Sequence, residues 1–198
     1  MNLKDGEFAV KLARKAIEEW VKKGEKIDRP KNFDKKFLEK AGVFVTIHTY
    51  PEKLLRGCIG FPYPSFPLID AIIEAAISST QDPRFPPLDP SELNKIIVEV
   101  SILTPPKRIV VKKPEDYLKK IVIGRDGLII KKGFNSGLLL PQVAIEYGWD
   151  VKTFLEHLCD KAFLPRDAWL SKDAQIFSFK AEIFGEREPS GKIERHSD

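Results

Sequence analysis

A thiol that does chemistry needs a cation or a base to hold it as thiolate, and the run Arg56-Gly57-Cys58-Ile59-Gly60 supplies a guanidinium two residues from a thiol. Residues 54–61 read as a strand. Side chains therefore alternate, with Arg56, Cys58 and Gly60 on one face and Leu55, Gly57, Ile59 and Phe61 on the other. Two such positions lie roughly 6.6 Å apart at Cα, from a rise of about 3.3 Å per residue, a gap a guanidinium can cross. Arg56 is thus expected to lower the Cys58 pKa from its reference of about 8.5. Gly57 and Gly60 remove side chains where a substrate or another backbone can approach. A plainer reading uses the same residues: a small buried cysteine in a packed strand, and Arg56 in an ordinary ion pair.

A nucleophilic cysteine also wants a base, and the three histidines are poor candidates. His157 falls on the helix face opposite Val151, Phe154, Leu155 and Leu158, which predicts exposure. His196 lies in what reads as a solvated tail over 188–198, and His48 is one hairpin away from Cys58. Asp82 or Glu99 is left as a carboxylate partner. Asp82-Pro83-Arg84-Phe85 sets a charge pair and an aromatic on a proline-stiffened loop, expected to line a composite site with Arg56 and Cys58. Gln142, beside Pro141 at a helix start, is a candidate amide contact, with a surface amide as the alternative. Cys159 belongs to an apolar helix stripe and reads as core. The two cysteines sit in unlike contexts without a CxxC or Cys/His cluster, which excludes a disulfide scaffold and a zinc site; no metal ligands are assigned.

The elements that must position these residues follow from periodicity. An amphipathic helix is expected over 7–23, a strand over 43–48, a hairpin partner over 54–61, and a helix from 68 closed by Asp82-Pro83. A half-buried strand follows at 96–103, then a hairpin joining 121–123 to 128–130 through the Asp126-Gly127 turn. An apolar run at 137–140 precedes a helix over 141–147, a second helix capped by Asp150, and a one-faced strand over 176–184. Helices and strands interleave with hairpin-like turns, which predicts an α+β fold of mainly antiparallel sheets with packed helices.

At 198 residues and 42% hydrophobic content the chain can bury one substantial core or two small ones. Charged residues make up 31%, mixed in sign, for a net charge of +4. With only short basic clusters, at Lys107-Arg108, Lys112-Lys113 and Lys131-Lys132, nucleic-acid binding is not expected. Apolar runs fall short of the 18 or so residues a membrane span needs, and the N-terminus lacks a secretory signal pattern, so a cytoplasmic protein is expected. One Met with abundant Lys and Glu suits a thermostable protein.

Several separated segments, Gly42-Val43-Phe44-Val45-Thr46, Leu55-Arg56-Gly57-Cys58-Ile59-Gly60, Asp82-Pro83-Arg84-Phe85, Val100-Ser101-Ile102-Leu103, Ile123-Gly124-Arg125-Asp126-Gly127-Leu128 and Leu140-Pro141-Gln142-Val143-Ala144, occur in the order found in AMMECR-type domains. Over most of its length the chain resembles that family. The resemblance implies an α/β domain of two unequal subdomains with a groove between them, here divided as 1–112 with 165–198 and as 113–164. It makes the Leu-Arg-Gly-Cys-Ile-Gly hexapeptide the signature and implies no established reaction. Microbial relatives are fused to, or encoded beside, a domain resembling extradiol dioxygenases and a radical SAM protein, which implies partners of those kinds. Two functions stand open. One is an enzyme acting on a small molecule or nucleobase-like substrate through a groove with Cys58 and Arg56 catalytic and Gly57, Gly60, Asp82, Arg84 and Gln142 in contact. The other is a noncatalytic protein- or peptide-binding module using the same groove. Neither specifies a cofactor.

Overall fold

The structure is a computed structural model and describes residues 1–196. The described residues divide into two compact units, Met1–Leu103 with 182–196, and Thr104–Ala181.

The first unit begins with α1 (Leu3–Lys23), which buries Ala9, Leu12, Ala13, Ala16 and Ile17 along one side. It starts four residues before the apolar pattern predicts. Asn2 accepts from the Asp5 N–H at 3.0 Å while Asp5 accepts from the Asn2 N–H at 2.8 Å, a capping box that satisfies the first-turn donors. Strands β1 (Val43–Thr49), β2 (Leu55–Phe61) and β3 (Ile96–Leu103) join β8 (Ala181–Glu186) and β9 (Ile193–His196) in a sheet ordered β2-β1-β3-β8-β9. β1 runs antiparallel to both β2 and β3. Val43, Val45 and Ile47 with Val98, Val100 and Ile102 turn inward and share a core with α1 and α2 (Leu68–Ser79). The alternation of the strands then assigns Thr46, His48, Cys58 and Glu99 to the opposite, outer face.

In the second unit β4 (Lys107–Arg108), β5 (Gly127–Lys132), β6 (Asn135–Leu139) and β7 (Gln175–Phe179) form a sheet ordered β4-β7-β5-β6, accompanied by α3 (Tyr117–Lys120), α4 (Pro141–Glu146) and α5 (Val151–Lys161). Asp150 caps α5 by accepting from the Thr153 N–H at 2.8 Å, and Phe154, Leu155, Leu158 and Cys159 form its buried stripe. The fold is α+β with antiparallel sheets, as the sequence predicts.

Four expectations need correction. The strand expected over 176–184 is two strands in two different sheets, and the buried positions are Ile176, Phe179, Ala181 and Phe184, with Phe177 and Ile183 only half-buried. Thr104 fixes the break at Lys180, its N–H donating to the Lys180 carbonyl at 2.8 Å and its Oγ1 accepting the Lys180 N–H at 2.9 Å. The Asp126-Gly127 turn does not make a hairpin with 121–123. Asp126 accepts from the Val122 N–H at 2.9 Å and holds a local turn, so β5 pairs with β6 across Gly133-Phe134. The supposed tail contributes β9, which pairs with β8 after a turn closed by Gly191 N–H to Glu188 carbonyl; of that tail, Ser197 and Asp198 lie outside the described residues. Finally, residues 104–112 and 165–181 belong to the second unit, because β4 and β7 complete its sheet.

Among the described residues no helix is long and apolar enough to cross a membrane.

Candidate functional site

β2 is the edge strand of the five-stranded sheet. An edge offers unpaired amides and carbonyls to any other strand, and this one is capped by side chains from the end of α2 and the loop after it. Asp82 Oδ2 accepts from the Cys58 N–H at 2.9 Å, Ser79 Oγ accepts from the Ile59 N–H at 3.1 Å, and Arg84 donates to the Cys58 carbonyl at 3.3 Å. The structure thus brings Asp82 and Arg84 to Cys58, as the composite site requires. Asp82 is 2% exposed and also accepts from the Arg84 guanidinium and backbone N–H. The Arg84 guanidinium and these amide donors hold its carboxyl well below the usual range despite burial.

Arg56 leaves Cys58 alone. Its guanidinium forms a bidentate pair with Glu92, at 2.8 and 2.9 Å, and donates to the Pro86 carbonyl at 3.0 Å. The cation that acts on the thiol is Arg84, and burial outweighs it: desolvation pushes the half-buried Cys58 thiol up. An Arg56-activated thiolate is therefore not what the structure holds. Strand alternation alone could not reveal this, because it gives the face of a residue and not the direction of a long side chain.

The two glycines have packing reasons. A Cβ at Gly57 would lie 2.2 Å from the Ser79 carbonyl oxygen, and one at Gly60 would lie 2.3 Å from the Val43 carbonyl oxygen. Protein, not ligand, takes the space. Gln142 belongs to the second unit, at the start of α4, where its Oε1 is buried without a hydrogen-bond partner.

Beyond Cys58 the outer face continues as a row. Cys58 lies opposite Thr46, and Thr46 lies opposite Glu99. The Thr46 hydroxyl donates to Cys58 Sγ at 3.3 Å, and Glu99 Oε2 stands 3.0 Å from His196 Nδ1. Glu99 holds the His196 pKa up, whereas burial pushes His48 down. His196 falls in a stretch whose sequence reads as tail, and the single apolar Ile193 following the Pro-Ser-Gly turn is the one sequence signal against that. His157 is not simply exposed either, being stacked on Trp149 at 4.0 Å and 3.2 Å from Asp160. Both cysteines are free, and Cys159 is fully buried. No group of three metal-ligating side chains occurs among the described residues.

An α+β chain with a side-chain-capped, cysteine-bearing edge strand defines the class of protein to compare. The chain belongs to the AMMECR1 family, whose model matches residues 10–184. It is 56% identical to protein MJ0810 of Methanocaldococcus jannaschii over 194 residues, spanning 98% of this chain and 96% of the relative. It is 53% identical to protein MK0488 of Methanopyrus kandleri, over 98% of this chain and 94% of that one. The crystal structure of the uncharacterized protein PH0010 from Pyrococcus horikoshii superposes with a TM-score of 0.87 at 51% identity, covering 100% of this chain and 99% of that one.

Proposed function

We propose that this chain binds a small polar molecule of nucleobase-like chemistry on the outer face of its five-stranded sheet, with Cys58 as a protonated thiol contact and not a nucleophile. The observation that carries this reading is the row Cys58, Thr46, Glu99 across three adjacent strands. Thr46 spends its hydroxyl hydrogen on the thiol, so its oxygen can accept, and Glu99 adds a carboxylate about 4.8 Å further along the row. A flat ligand with N–H donors along one edge complements such a row. Recognition of an extended peptide by strand addition at β2 is opposed, since Asp82, Ser79 and Arg84 already occupy the edge groups of Cys58 and Ile59.

Calorimetry against a panel of purine and pyrimidine bases tests the reading. At least one base should bind, with Glu99→Gln and Thr46→Val each weakening it by about tenfold, the equivalent of roughly 1.4 kcal/mol. Binding that ignores both substitutions, or no binding across the panel, removes it.

A further inference from the structure

One register step from the Cys58 row, a cavity of about 380 Å³ opens on the outer face, lined by His48, Lys53, Glu99, Gly185, Glu194 and His196. Its volume falls within the range of about 300–1,000 Å³ usual for small-molecule sites. His48 pairs with Ile97 in the ladder that pairs Thr46 with Glu99, which makes Glu99 the diagonal neighbour of His48 on one face. The same carboxylate reaches His196 Nδ1 at 3.0 Å, leaving Nε2 without that partner. A Cβ at Gly185 would lie 3.0 Å from His196 Cε1 and 3.2 Å from Nε2, so glycine makes room for the ring. The remaining charges are largely answered: Glu186 is bound by Arg14, and Arg187 meets Glu194 at 3.5 Å. Lys53, held in the left-handed region at φ 56, forms no ion pair with a described residue.

We propose that this cavity is a general acid–base site for hydrolysis of a small ester-like acyl compound, with His48 as base, His196 as acid and Lys53 facing the developing oxyanion. The inference rests on the outer face being the ligand face and moves the chemistry from Cys58 to the histidines. Burial first, then the positive charges of His196 and Lys53, push the His48 pKa down against the pull of Glu99, while Glu99 holds the His196 pKa up. A pair whose environments push their protonation apart supplies one acceptor and one donor near neutral pH. In the forward step His48 takes a proton from water as the water oxygen bonds to the acyl carbon. The tetrahedral oxyanion faces the Lys53 ammonium. Collapse breaks the bond to the leaving alcohol, which takes the Nε2 proton of His196. Transfer of the proton held by His48 to His196 through solvent restores the site, so water and ester become acid and alcohol. Glu99 and Glu194 at the cavity wall disfavour a dianionic phosphate and leave a neutral acyl centre as the better match.

The test is phenyl acetate hydrolysis by the full chain, with phenol release followed well beyond one equivalent; phenoxide is basic enough near neutral pH to draw on the His196 proton. The expected result is sustained turnover with a bell-shaped pH dependence set by His48 and His196 under the influence of Glu99, Lys53, Glu194 and Arg187. His48→Gln and His196→Gln should each lower kcat/KM by about 10²-fold, Lys53→Met should lower kcat, and His157→Gln should change nothing. Thermal unfolding midpoints within a few degrees of the parent establish that the variants fold. Absent turnover, or turnover unchanged in His48→Gln, overturns the proposal alone. A single equivalent that stops and maps to Cys58 overturns both this proposal and the protonated-thiol reading.

Discussion

The outer face of the five-stranded sheet has two ends of opposite character. At the Cys58 end the charged side chains answer one another or the backbone: Arg56 by Glu92, Arg84 by Asp82, and Asp82 by Arg84 and two amides. At the His48 end one carboxylate serves His196 beside a second imidazole whose pKa burial pushes down, and Lys53 forms no ion pair with a described residue. The end that stands out in the sequence is thus internally saturated, and the inconspicuous end keeps groups free to meet a ligand. A charged motif can owe its residue types to the folding of its own strand.

The largest expected effect breaks the floor of the histidine end. Arg14 is 6% exposed, pairs with Glu186, which is 4% exposed, and donates to the Leu93 and Ile96 carbonyls. Arg14→Met leaves the buried Glu186 carboxylate without its counter-ion, with only the Val98 N–H donating to it at 2.9 Å, and should cost about 3–5 kcal/mol in urea unfolding. A loss below about 1 kcal/mol would mean that Glu186 finds another donor or a proton.

Asp82→Asn at the saturated end should cost about 2 kcal/mol at pH 7, since it weakens charge-assisted hydrogen bonds to Arg84 and to the Cys58 amide. The acid side supplies the sign. With a folded pKa below its unfolded value of about 3.9, Asp82 stabilises fully above that value, and this contribution fades as pH falls through 3.9 toward the folded pKa. The gap between parent and Asp82→Asn should therefore narrow below pH 4; a constant gap would deny the carboxylate its role.

At the histidine end the slope has the opposite sense. A raised His196 pKa gives stability that is complete below the unfolded value of about 6.5 and is lost as pH rises through the folded pKa. Because the His196 side chain is 46% exposed, its pair with Glu99 is worth less than about 1 kcal/mol. His196→Gln should flatten the stability profile between pH 6 and 8, and a profile identical to the parent would show that the pair contributes nothing.

The smallest effect is the most diagnostic of the saturated end. Iodoacetamide near neutral pH should label half-buried Cys58 before fully buried Cys159, yet more slowly than an unhindered thiol. Arg56→Met should leave that rate within about twofold, because the guanidinium spends its charge on Glu92. A rate that collapses in Arg56→Met would restore Arg56 as the activating cation.

The sequence by itself determined most local structure. The strands at 43, 54 and 96, the Asp150 cap and the buried stripe of α5 were legible because apolar spacing and caps act within a few residues. Even the meeting of Cys58 with the Asp82 loop was legible, since α2 must return its end to the sheet that it covers. Tertiary structure decided the rest. Whether Arg56 serves a thiol or Glu92, and whether Gly57 admits a ligand or a helix carbonyl, depends on residues more than 20 positions away. The division of 176–184 between two sheets was hidden because Phe177, Phe179, Ala181 and Ile183 keep an unbroken alternation in sequence while Thr104 ends the strand in space. His196 came to Glu99 by the same route: a carboxylate and an imidazole 97 positions apart carry no shared periodicity, and only strand pairing in the sheet sets them 3.0 Å from each other.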